Sequence, residues 1–223
     1  MTGRYEEALQ KIDARHFHPW EGGEGKVPAQ YQYARLGLVK KYLQTADYVN
    51  AKARIDECFV YPNHLGEGKL YGAQENDFLY YKACVIDAMG QNQEARECLE
   101  RAAQGSGEPT AAMYYNDQKP DKIYYQGLAL RRLGREPEAR GKFNRLIAYG
   151  EKHLYDPFVM DYFAVSLPDL QIWEDDMERN NRLHCYYLMG LGYLGLDQKE
   201  KARECFDMIR KQQPNFQFCA ECW

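Results

Sequence analysis

Gly90-Gln91-Asn92-Gln93-Glu94-Ala95, with Leu99 four residues beyond, is the stretch on which the fold turns. A glycine opens it, polar residues follow, and a small residue then stands four positions before a large apolar one. Such an i, i+4 pair lies on one face of a helix. The alanine lets a neighbouring helix approach, and the leucine fills the space beyond it. The string is not alone. Gly3-Arg4-Tyr5-Glu6-Glu7-Ala8, Ala46-Asp47-Tyr48-Val49-Asn50-Ala51, Gly134-Arg135-Glu136-Pro137-Glu138-Ala139 and Asp197-Gln198-Lys199-Glu200-Lys201-Ala202 repeat it. Ile12, Ile55, Phe143 and Phe206 take the place of Leu99. The alanines fall at 8, 51, 95, 139 and 202, at intervals of 43, 44, 44 and 63. Self-similarity at a fixed period is the mark of a repeat architecture.

Upstream of four of these strings lies a second helical pattern, as in Phe78–Met89, Ile123–Leu133 and Leu183–Leu196. Each carries a small or slender residue in its middle (Val39, Ala83, Gly127, Gly190) and an apolar residue three positions on (Tyr42, Ile86, Leu130, Tyr193). Gly90 and Gly134 then break the chain, as expected between two short antiparallel helices. Together with Pro214 after the last unit, these residues resemble the tetratricopeptide repeat, a helix–turn–helix unit of about 34 residues. The resemblance covers most of the chain. It implies an all-α fold, a right-handed superhelical solenoid of helical hairpins with long inter-repeat loops. Residues 1–223 are expected to form a single array. Its parts are a second helix of a truncated repeat at 3–15, repeats at about 30–62, 75–104, 119–149 and 180–213, an insertion at 150–179 and a tail at 214–223. The first unit lacks its first helix, so the chain reads as a fragment of a longer protein.

Composition narrows the function. The 223 residues carry 29 Lys and Arg against 33 Asp and Glu, a net charge of −4, which speaks against a nucleic-acid surface. No run approaches the roughly 20 apolar residues that span a bilayer, and Met1–Glu7 has no apolar leader core. Seven scattered cysteines, five of them (Cys58, Cys84, Cys98, Cys185, Cys205) within helical patterns, read as reduced thiols of a cytoplasmic protein. Nineteen tyrosines imply many half-buried positions with a wet polar end.

The loops repeat as well. Gly22-Gly23-Glu24-Gly25-Lys26 returns as Gly66-Glu67-Gly68-Lys69, and Gln30, Gln74 and Gln118 are spaced by 44, each expected shortly before a helix. Stacked hairpins align such loops along one edge, often the binding face of a repeat protein. His18, Trp20, Glu24, Lys26, Glu67, Lys69, Asn76, Asp77, Asn116 and Asp117 form this candidate loop edge. Two readings stand side by side: turns and helix caps, or a polar ridge facing a ligand. The Gly-x-Gly-Lys strings are not phosphate loops, since Val27 and Leu70 follow the lysines where Ser or Thr is required. His16–Lys26, Tyr114–Gln118 and Asp161–Leu170 further resemble the C-terminal region of large bacterial proteins in which a β-rich, carbohydrate-associated domain precedes a tetratricopeptide tail. That resemblance implies a partner within the same polypeptide and a carbohydrate context. It transfers no catalytic residue.

Tyr80, Tyr124 and Tyr187 occupy equivalent places on the first helices. With Asp87, Leu128 and Arg131, a helical step further along, they mark a stripe. By the family resemblance this stripe faces the concave groove; packing between repeats is the other reading. Lys40 is the one cation in the groove positions corresponding to Leu36, Lys40, Tyr80, Cys84, Tyr124 and Leu128, so a carboxylate clamp is not expected. Cys219-Ala220-Glu221-Cys222 and His16-Phe17-His18 each supply two ligands where zinc needs four, so no metal and no cofactor is predicted. The aromatic insertion around Tyr155, Phe158, Tyr162, Phe163 and Trp173 is expected to pack on the last two repeats or to dock a domain. The predicted function is a non-catalytic scaffold binding a protein or a neighbouring domain through the groove and the loop edge. The alternatives are an accessory part of a carbohydrate-active enzyme, with the loop edge contributing to a sugar site, and a spacer without ligand.

Overall fold

A computed structural model describes residues 3–20, 23–112, 117–157 and 176–214. Among the described residues are nine α-helices and no strand. They are α1 (Tyr5–Asp13), α2 (Lys26–Gln44), α3 (Tyr48–Glu57), α4 (Asn76–Ala88), α5 (Asn92–Ala102), α6 (Pro120–Arg132), α7 (Glu136–His153), α8 (Met177–Gly195) and α9 (Lys199–Gln212). The protein is all-α and its helices pack as sequential hairpins. It forms two compact units that divide between Ala102 and Ala103. In the first, α1 lies on α2, α2 pairs with α3, α3 meets α4, and α4 pairs with α5. In the second, α6 pairs with α7, α7 packs closely on α8, and α8 pairs with α9.

Four hairpins close through one kind of turn. Ala46, Gly90, Gly134 and Asp197 all have positive φ, between 57° and 81°. Each donates its N–H to a carbonyl three residues back, and the next residue donates to one five back. The latter bonds are Asp47 to Tyr42 at 2.9 Å, Gln91 to Ile86 at 3.1 Å, Arg135 to Leu130 at 2.9 Å and Gln198 to Tyr193 at 2.9 Å. This pair of bonds is the Schellman arrangement, which satisfies the last carbonyls of a helix while reversing the chain. Asp47 then caps α3, its carboxylate accepting from the Asn50 N–H at 3.2 Å.

Five residues after each turn stands the repeated alanine. Ala51, Ala95, Ala139 and Ala202 are buried, whereas Ala8 keeps part of its surface. The large residues that follow form the cores: Ile55 with Val39 and Phe78, and Phe206 with Leu183, Leu188 and Leu191. α1 turns Tyr5, Ala8, Leu9 and Ile12 toward Tyr31, Ala34 and Leu38 of α2. Its Glu6, Gln10, Lys11 and Asp13 face solvent. In the second unit glycines bring α7 and α8 together. A methyl group on Gly192 would sit 2.6 Å from the Phe143 carbonyl oxygen, and one on Gly150 would sit 2.7 Å from that of Cys185.

Some element ends differ from the sequence expectation. α2 starts at Lys26 rather than near residue 30, because Gly25 takes a left-handed conformation (φ +75°) and Pro28 fits the first helical turn. Gln30 therefore lies inside the helix, unlike Gln74 and Gln118, which precede α4 and α6. α7 continues to His153 and α8 begins at Met177, so helix occupies both ends of the expected 150–179 insertion. Residues 158–175 and the tail from residue 215, with Cys219 and Cys222, lie outside the described residues.

Candidate partner-binding surfaces

On α4, Leu79, Ala83 and Ile86 are buried, while Tyr80 and Cys84 are half-buried and Asp87 is exposed. This second stripe is the expected groove face of the first unit. The Tyr80 ring meets Tyr81 edge-on at 5.5 Å, and the Lys40 ammonium of α2 lies 5.2 Å from the centre of the Tyr81 ring. A cation over a tyrosine face is favourable by roughly 0.5–1 kcal/mol at such half-open sites. It fixes the aromatic surface between α2 and α4.

The equivalent stripe on α6 is more heavily used by the fold. Tyr124 packs on Phe143 at 5.9 Å and against Tyr125 at 5.5 Å, and it stays half-buried. Leu128 is half-buried against Leu130, Ala139 and Phe143. Arg131 bonds to Glu136 at 3.0 Å, donates to the Gly195 carbonyl at 2.5 Å and lies over the Phe143 ring at 5.1 Å. Its charge serves the α6–α7 turn and the C-terminal end of α8, where a cation suits the helix dipole. Tyr187 corrects the groove expectation for its position: it is 5 % exposed and belongs to the core around Phe206, 6.5 Å away, because α8 is nearly enclosed by α7 and α9.

The loop edge divides in a similar way. In the first unit the segment before α2 docks on the segment before α4. Phe17 donates its N–H to the His64 carbonyl at 2.8 Å, and Gly25 donates to the Glu67 carboxylate at 2.6 Å. Glu67 of one Gly-Glu-Gly-Lys copy thus caps the glycine of the other. Lys69 pairs with Glu75 at 2.5 Å. Asn76 is buried and donates to the Ala102 carbonyl at 2.9 Å, closing the end of α5, and Asp77 beside it is buried in the first turn of α4. These two are helix-end residues, not ridge residues. Lys26 is the first residue of α2, and Glu24 and Asp117 are half-buried. His18 is exposed, and Trp20 keeps 49 % of its surface although its ring rests on Gly23. Asn116 lies outside the described residues.

Sequence reading did not mark Leu70 or Tyr71 as surface candidates. They lie in a turn closed by the Ala73 N–H on the Leu70 carbonyl (3.2 Å), with Gly72 at φ +80° and Tyr71 fully exposed. The Tyr-Gly pair was the available signal, since glycine at the third place of a type II turn supplies the positive φ. Among the described residues no group of three His, Cys, Asp or Glu is placed to hold a metal ion. His16 meets His64 edge-on, and His64 Nε2 lies 3.2 Å from Asp13. The five described cysteines are thiols outside any disulfide. Burial pushes Cys98 upward and Cys185 and Cys205 to about 11, which suits inert core thiols rather than nucleophiles.

The sequence profile of the tetratricopeptide repeat family matches residues 123–149 and 184–215. The first match covers most of α6 and α7, the second most of α8 and all of α9. Residues 123–215 therefore carry tetratricopeptide repeats, a class of helical hairpin that generally serves as a protein-interaction scaffold and is typically non-catalytic. No solved structure matches the chain. No helix among the described residues is long and apolar enough to cross a membrane.

Proposed function

We propose that this protein is an interaction scaffold whose first-helix faces bind a protein segment, on a separate chain or in a neighbouring domain of the same polypeptide. One observation carries the reading: Tyr80, Cys84 and Asp87 form a continuous outward stripe on α4 while the adjacent stripe is spent on the core. Tyrosine supplies a stiff contact surface with a polar tip at small entropic cost. Tyr124 and Leu128 offer the corresponding, smaller surface in the second unit. A neighbouring β-rich domain, as in the large bacterial proteins resembled by the loops, is one form such a partner takes.

The exposed Trp20 and His18 support a second reading, a sugar-binding contribution from the loop edge. It is the weaker of the two, because Glu67, Lys69 and Asn76 are engaged with groups of the protein itself. Selection of peptides from a displayed library against the folded chain tests the preferred reading. Selected peptides are expected to lose at least roughly tenfold in affinity for the Tyr80→Ala/Tyr124→Ala variant, with helical circular dichroism unchanged. Peptides indifferent to both tyrosines, or glycan-array binding abolished by Trp20→Ala, would overturn it.

A further inference from the structure

We infer that His184 is an acid-sensitive latch for the segment Gly105–Ala112 that leads toward α6. His184 stands in the second turn of α8, and its Nε2 lies 2.8 Å from the Thr110 carbonyl oxygen, 74 residues away in sequence. A carbonyl only accepts, so the neutral ring donates from Nε2. The same segment is held at other points as well. The Gln126 amide donates to the Ser106 carbonyl at 2.9 Å, and Glu108 pairs with Arg145 at 3.2 Å. The first tie is reinforced, since Gln126 is fully buried and accepts from Lys142 at 2.8 Å. The second joins two exposed side chains and is weak. Beyond Ser106 the segment is tied at Thr110 from two sides, its hydroxyl donating to the Gln118 carbonyl at 3.3 Å and its carbonyl accepting from His184, and of these two bonds only the one to His184 involves a titrating group.

The groups around the imidazole decide what acid does. Tyr149 of α7 faces it edge-on at 6.5 Å and itself carries the His153 ring at 4.3 Å, with Asp156 bonded to His153 at 2.5 Å. Asp117 and Lys119, just before α6, act on it with opposite signs. Burial is the dominant influence and holds the His184 pKa below its usual value; the Thr110 carbonyl and Asp117 work against it, and Lys119 works with it. A proton added to His184 is therefore least costly when the ring reaches water. Lifting the segment away from α8 achieves that without disturbing the Gln126 tie. Acid thus changes the surface this unit presents, independently of the tyrosine stripe.

Hydrogen exchange of the intact chain tests the latch. Between about pH 7 and pH 4, a range that reaches below the ordinary imidazole titration, peptides within 105–112 should exchange several-fold faster than intrinsic rates explain, while peptides of α6 and α9 do not. His184→Gln keeps a donor without a titrating proton and should abolish the extra exchange. An imidazole resonance titrating below the ordinary histidine range, in step with the opening, is expected in the unmodified protein. No extra exchange, extra exchange that persists in a folded His184→Gln variant, or acceleration across the whole unit would each overturn the proposal. Should His184→Gln fail to fold, the imidazole titration of the unmodified chain decides: opening out of step with it refutes the latch.

Discussion

The edge of the Phe206 ring fills the space where Gly190 would carry a side chain: a methyl group there would sit 2.5 Å from Cε1. Phe143 stands against Gly127 in the same way in the preceding hairpin. At the equivalent places the first unit has Ala83 with Leu99 and Val39 with Ile55. As the first-helix residue grows, the second-helix residue gives up its ring. Summed volume across the hairpin is what the packing holds to, because interiors are close-packed and feel a single methylene.

That relation predicts coupled mutations. Gly190→Ala should cost about 1–2 kcal/mol, because overpacking outweighs the gain in helix propensity. Phe206→Leu should cost about 1–2 kcal/mol through the space it leaves. The double variant recreates the Ala83–Leu99 combination and should lose at least ~1 kcal/mol less than the two costs added together. Urea unfolding of the four proteins measures this. Strict additivity would show that the two positions do not share a packing site.

The turns give a second prediction. Ala46 and Asp197 hold the left-handed conformation that Gly90 and Gly134 adopt without strain. A side chain there costs roughly 1–2 kcal/mol, partly offset by the greater freedom glycine has when unfolded. Ala46→Gly and Asp197→Gly should each stabilise by about 0.5–1 kcal/mol, and Gly134→Ala should destabilise by about 1 kcal/mol. Thermal unfolding of the three variants suffices. A loss of stability in both glycine variants would mean that the αL strain is not what limits these turns.

The hairpins were legible in the sequence because the alanine, its i+4 partner and the mid-helix small residue are purely local signals. The turn residue lies five positions before each alanine, so even Ala46 and Asp197 could be placed without glycine. The groove was less legible. Tyr80 and Tyr187 hold equivalent positions in the repeat, yet one is half open and the other buried. The difference lies in how tightly the neighbouring hairpin approaches. The glycines of α8 and Gly150 of α7 set that distance, and their effect is not local. Loop residues such as Glu67 and Asn76 look like ligand contacts in sequence. Only their long-range bonds to Gly25 and Ala102 show where their polar atoms are satisfied.

Arg131 was expected on the groove face and instead joins α6 to Glu136 and to the end of α8. Arg131→Ala should destabilise the protein by about 1.5–3 kcal/mol, the usual worth of bonds to a charged group. Arg131→Lys should recover only part of it, since an ammonium cannot hold both the carboxylate and the carbonyl in a fixed fork. Denaturant midpoints report the result. If both variants matched the unmodified protein, Arg131 would be available to a partner after all.

Thiol chemistry separates the α4 stripe from the core. Cys84 is half-buried, whereas Cys58, Cys98, Cys185 and Cys205 are buried. In a Cys219→Ser/Cys222→Ser background, iodoacetamide at about pH 8 should modify Cys84 at least roughly tenfold faster than the other four, since reaction needs an accessible thiolate. Peptide mass mapping reads the order. A peptide seated on Tyr80 and Asp87 should then slow Cys84 alone; a core cysteine reacting first would contradict the packing of its helix.

Asp56 supplies the last prediction, a dependence of stability on pH. Its carboxylate accepts from Lys52 at 2.7 Å within α3 and from Lys82 of α4 at 2.8 Å, so it ties one hairpin of the first unit to the next. Burial alone would raise its pKa, but the two ammonium groups outweigh burial and leave it lowered. The Lys82 ammonium is also placed over the Phe59 ring, 5.5 Å from its centre. A carboxyl that is more acidic folded than unfolded adds stability that is complete above the unfolded value, near 3.9. That stability drains away as pH falls through the folded one. Asp56→Asn should therefore lower stability at neutral pH, and the gap to the unmodified protein should close below about pH 4. Glu6, Glu7 and Glu138 are also lowered, by bonds of their own, but they are present in both proteins and cancel in the comparison. Unfolding midpoints from about pH 3 to pH 7 measure the gap, and a gap that stays constant across that range would remove Asp56 as the junction between α3 and α4.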